Sequence, residues 1–85
     1  MQFLLMYRSL TYAQRSVRTL ERAGITGTLT RVPKTVSRRG CGYGIIVAPR
    51  NRSRALTLLE AVGLSPERVL VRENGTYREA EHDLS

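Results

Sequence analysis

Leu20-Glu21-Arg22-Ala23-Gly24-Ile25 and Leu59-Glu60-Ala61-Val62-Gly63-Leu64 are two versions of one phrase, a last helical turn followed by glycine and an apolar residue. The glycine supplies the left-handed residue that ends a helix, and the apolar residue after it folds back onto the last turn. Each phrase closes an amphipathic stretch that itself follows a short apolar run. In the first unit, Phe3 to Tyr7 reads as a strand and Ser9 or Thr11 as a helix cap. Leu10, Ala13, Val17 and Leu20 then recur at helical spacing, with Gln14, Arg15, Arg18, Glu21 and Arg22 on the other face. In the second, Tyr43 to Ala48 is the strand, Pro49 and Asn51 break it, and a helix from about Ser53 turns Leu56, Leu59 and Val62 inward. Thr26 to Val32 adds a strand ending at Pro33, and Arg68 to Arg72 adds another after Ser65-Pro66. The order is βαββαβ. The predicted fold is therefore α+β, a ferredoxin-like split βαβ arrangement with a four-stranded antiparallel sheet and both helices on one face.

A chain of 85 residues has room for one modest core, here assigned to residues 1–73. Residues 74–85 read as an acidic tail in which Asn74-Gly75 turns a short hairpin into Thr76-Tyr77 before a disordered end. No apolar stretch approaches the roughly 20 residues of a membrane span, and the N-terminal run is too short for a signal-peptide core, so a cytoplasmic protein is expected. One cysteine and one histidine, His82 in the tail, exclude an internal disulfide, a CxxC redox pair and a cysteine-rich metal site.

Charge divides the chain. Residues 1–59 hold eleven Arg and Lys against the single acid Glu21, net +10, whereas residues 60–85 hold three Arg against six acids, net −3. Arginines at helical spacing read first as a solvated face. Arg38 and Arg39 are the exception, because they stand beside the only thiol in Ser37-Arg38-Arg39-Gly40-Cys41-Gly42.

In a split βαβ sheet the first two strands are parallel with the third between them. The connection from Pro33 to Gly42 then lies where the first strand meets the first helix, close to Arg8, Ser9 and Thr11. A thiolate is favoured by nearby cations and by a helix N-terminus, so the thiol of Cys41 is expected to be acidic relative to a free cysteine. Gly40 and Gly42 leave space on both sides, and their amides can cradle an anion. No histidine stands in the body of the chain, and carboxylates are scarce before Glu60, which argues against a Cys-His hydrolase. The residues fit a carrier holding a persulfide or selenopersulfide better than a complete active site. The competing reading is a buried structural cysteine at a strand edge.

Arg31-Val32-Pro33-Lys34-Thr35-Val36-Ser37-Arg38-Arg39-Gly40-Cys41-Gly42-Tyr43-Gly44-Ile45, preceded by Ala23-Gly24-Ile25, resembles the small bacterial selenium/sulfur carrier protein-like family over roughly residues 2–72. The specific core of the resemblance is Pro33, Ser37, Cys41 and Gly42. Lys34 stands where the family tends to have Arg, and Arg38-Arg39-Gly40 replace small or polar residues. The resemblance implies that Cys41 is the carrying nucleophile and that Ser37 and the Gly42 amide orient or stabilise its anion. It also implies that a cysteine desulfurase or a selenium donor charges it for an acceptor enzyme, with no cofactor beyond the transient selenium or sulfur. Which of the two atoms is carried stays open.

Two other readings belong beside this one. RNA-recognition modules share the element order, and Cys41 to Ala48 partly imitates their third-strand signature, with Tyr43 and Tyr7 as candidate neighbours on the open sheet face. That match lacks the leading cation and puts Ile45 and Ala48 where rings should stack. The uncovered sheet face also suggests a ligand-binding module or a homodimer, with Phe3, Leu5, Ile45 and Val47 alternating along the central strands.

Overall fold

Five consecutive buried residues, Phe3 to Tyr7, make β1 (Gln2–Tyr7) the centre of the sheet, since only a strand covered on both faces can bury every side chain. The structure is a computed structural model that describes residues 1–33 and 42–80. β1 pairs antiparallel with β3 (Tyr43–Val47) on one side and β4 (Arg68–Glu73) on the other. β2 (Thr28–Arg31) lies outside β3 and β5 (Thr76–Glu79) outside β4, giving the order β2-β3-β1-β4-β5. Helices α1 (Leu10–Arg22) and α2 (Arg52–Ala61) supply the crossovers, and a 3-10 turn at Pro49–Asn51 leads into α2. This is the ferredoxin-like arrangement with one strand more than the expected four. The addition comes from the hairpin at Asn74-Gly75, whose φ values of 51° and 78° give the doubly left-handed turn that matches strand twist.

The repeated phrase does in both helices what its residues require. Gly24 and Gly63 adopt φ of 79° and 75°. The Ile25 amide donates to the Leu20 carbonyl at 2.9 Å, and the Leu64 amide to the Leu59 carbonyl at 2.8 Å. Both helices thus end in the same Schellman turn. The inward residues differ in part from the periodic reading. Ala13, Ser16 and Leu20 form the buried line of α1, while Leu10 is 40% exposed at its first residue. Val62 is exposed because α2 ends at Ala61 and the residue falls at the cap.

Phe3, Leu5, Tyr7, Ile45, Val47 and Val71 pack with Ala13, Leu20, Ala55 and Leu59 of the helices. Leu4, Met6, Leu70 and Val32 form a second cluster on the opposite face, with Ile46 and Tyr77 against it. The assignment of Phe3, Leu5, Ile45 and Val47 to an open face is therefore corrected. Alternation gives the period but not the phase, and in β1 both phases are apolar. Gly44 belongs to the second cluster: a Cβ there would meet Leu4 Cδ1 at 2.5 Å and Val32 Cγ2 at 3.0 Å. Gly44→Ala is expected to lower unfolding stability by about 1–3 kcal/mol, read as a reduced denaturant midpoint at unchanged slope.

Candidate functional site

The segment that carries Cys41 starts and ends at one place. The Val32 amide donates to the Gly42 carbonyl at 3.0 Å, which extends the β2–β3 ladder one step beyond the Arg31–Tyr43 pair. Tyr43 in turn pairs with Tyr7, the last residue of β1. Only Arg8 then separates Tyr7 from Ser9, the N-cap of α1, whose hydroxyl accepts from the Tyr12 amide at 3.3 Å. The end of the sheet and the start of α1 thus meet beside both anchors of the segment, as the split βαβ order requires. Ser37, Arg38, Arg39, Gly40 and Cys41 themselves lie outside the described residues.

Of the site residues inside them, Ser9 is engaged as a helix cap and Arg8 as an ion-pair partner. Arg8 Nε lies 3.6 Å from Glu67 Oε1, with both side chains largely in solvent. Glu67 is held there because its amide donates to the Met6 carbonyl at 2.8 Å. The positive charge expected at Arg8 is thus partly offset by a carboxylate distant in sequence. The sequence reading passed over Arg31, whose guanidinium lies 5.6 Å from the centroid of the Tyr43 ring. Strand register would have found it, since Arg31 and Tyr43 are direct partners. Gly42 is half-buried, and a Cβ on it would meet no described atom within 4 Å.

Beneath this end, Tyr7 is 2% exposed and its hydroxyl donates to the Leu64 carbonyl at 2.6 Å. Burial pushes the Tyr7 phenol above its ordinary value, and the neighbouring Ser16 hydroxyl offsets part of that rise. Tyr43, its direct strand partner, packs against the same helix-side cluster, so the placement of Tyr7 and Tyr43 as neighbours on the open face is corrected. The raised value also has a stability consequence. The folded state holds its proton where the unfolded chain has lost it, so this contribution is complete below about pH 10 and is lost as pH rises through the higher folded value. Denaturant midpoints are expected to fall above about pH 10, and less steeply in Tyr7→Phe.

Among the described residues, no group of three or more His, Cys, Asp and Glu is placed to hold a metal ion, and no helix is long and apolar enough to cross a membrane. The molecule is a small ferredoxin-like α+β domain whose β2–β3 connection contains its only cysteine. The chain belongs to the family described as "Putative Se/S carrier protein-like", whose model matches residues 2–71. No curated protein and no solved structure matches it.

Proposed function

We propose that this protein holds sulfur or selenium on Cys41 as a persulfide or selenopersulfide and passes it between enzymes. Membership of the carrier family over residues 2–71 is the observation that carries this reading. The pinned ends of the Cys41 segment support it, because the Val32–Gly42 bond ties that segment to the sheet end beside the first turn of α1. Loading is a transfer between thiols. The Cys41 thiolate attacks the terminal sulfur of a donor persulfide, the donor's S–S bond breaks, and the donor cysteine leaves as thiolate. One S–S bond forms and one breaks, so no outside oxidant is required. Arg38 and Arg39, with Ser37 and the Gly40 and Gly42 amides, are the groups that stabilise the sulfur anion, and a cysteine desulfurase is the donor class that fits.

The test is intact mass of the full chain after incubation with a cysteine desulfurase and cysteine or selenocysteine, alongside the pH profile of thiol alkylation. A reducible adduct on Cys41 and an alkylation midpoint below that of free cysteine are expected. A chain that gains no adduct and whose thiol resists alkylation would instead make Cys41 a packing residue.

A further inference from the structure

Arg15, Arg18, Arg22 and Arg54 stand exposed on the helical layer, and among the described residues no carboxylate pairs with them. Ion pairs among the described residues join Arg8 to Glu67, Arg68 to Glu79 and Arg78 to Glu73. None takes in Arg15, Arg18, Arg22 or Arg54. Arg15, Arg18 and Arg22 lie opposite the buried line of Ala13, Ser16 and Leu20, all exposed, and run about 10 Å along the axis of α1. Arg54 of α2 continues the line, because its guanidinium donates to the carbonyl of Ala23, the C-cap of α1, at 2.8 Å. At the other end Tyr12, 54% exposed, stands one turn before Arg15. The ridge begins at the helix terminus that adjoins Tyr7 and the Gly42 anchor.

We infer that this ridge is the docking surface for an acidic protein face on the enzyme that loads the carrier; the inference rests on the carrier reading of Cys41. Charge complementarity selects an acidic occupant, and three features favour a protein over a nucleic acid. An exposed tyrosine beside arginine is the residue pair enriched in the energetic centres of protein interfaces. Four cations give only a weak, strongly salt-dependent hold on a phosphate backbone. Phe3, Tyr7 and Tyr43 turn to the helix-side cluster, which leaves Tyr77 as the one ring of the described strands on the opposite face, too few for the stacking platform that single-stranded binding relies on. A carrier must also release its partner after each transfer. Steering by a charged ridge raises the encounter rate without the large apolar contact that would slow departure.

The experiment compares the natural chain with the triple variant Arg15→Glu, Arg18→Glu, Arg22→Glu and with the milder triple change to Gln. Each is loaded either by a cysteine desulfurase or by a small persulfide donor such as glutathione persulfide. Enzymatic loading of the natural chain is expected to slow with added salt, and charge reversal to slow it about tenfold or more at low salt, with the Gln variant between. Loading from the small donor should be equal in all three, and coincident circular dichroism melting curves show that the variants are folded. Equal enzymatic loading of all three would overturn the docking surface while leaving the carrier reading intact. Failure of both donors on the natural chain would end the carrier reading itself. Binding of an RNA duplex or single strand at physiological salt that charge reversal abolishes, with desulfurase loading indifferent to it, would reassign the ridge to nucleic acid.

Discussion

Cys41→Ser is expected to abolish adduct formation from either a desulfurase or a small persulfide, while leaving the thermal midpoint of the chain close to its original value. The loss should be complete, because the chain contains no second thiol to take over the transfer. A serine hydroxyl is ionised far too little near neutral pH to attack a persulfide sulfur, and the S–S bond that stores the atom needs a sulfur at this position. Fold stability is expected to hold because, on the carrier reading, the thiol is presented for transfer and is not a core side chain, and serine differs from cysteine by one atom. Intact mass and a melting curve on the same preparation separate the two statements. An adduct surviving in the serine variant would refute the assignment of the carrying atom, whereas a collapsed melting curve would make Cys41 a structural residue.

The largest expected effect on folding is at the centre of β1. Leu5 is fully buried, pairs with Ile45 and Val69 in the two flanking strands, and belongs to the cluster formed with the helices. Leu5→Ala removes apolar surface and leaves a cavity that the strand cannot close, because β1 is held by ladders on both sides. The cost is about 2–5 kcal/mol. A domain of this length has a total of roughly 4–13 kcal/mol to lose, so the variant is expected to be largely unfolded under mild denaturant. Urea titration followed by circular dichroism reads this directly. A shift smaller than about 1 kcal/mol would mean that the core relaxes around the cavity, contrary to the packing described above.

The elements were legible because each carried its own punctuation. Gly24 and Gly63, Pro49, Ser9 and the Asn74-Gly75 turn each fix a local backbone geometry, and local geometry is what a linear sequence encodes most directly. Facing was harder to read. Phe3-Leu4-Leu5-Met6-Tyr7 is apolar at every position, so nothing in it distinguishes the side toward the helices from the side away from them. Ser16 is another residue whose burial could not be read locally: it is fully enclosed because its hydroxyl donates to the Tyr12 carbonyl one turn earlier. At the candidate site, the meeting of Val32 and Gly42 with the end of β1 and the start of α1 followed from topology, but the pairings of Arg8 with Glu67 and Arg31 with Tyr43 depend on register and on contacts across the fold. Those are decided by three-dimensional packing.

The Val32–Gly42 hydrogen bond also bears on how such a chain can change over time. It holds Val32 and Gly42 together one step beyond the Arg31–Tyr43 pair, so the β2–β3 ladder is fixed by residues on either side of the connection. Joining two such anchors is inexpensive in general: each doubling of a flexible loop's length costs only about 0.6 kcal/mol of closure entropy. Change between two held ends costs the ladder little, whereas β1, buried from Phe3 to Tyr7, tolerates almost nothing. A chain of this design can diverge between the two anchors while the ladder that joins them stays fixed.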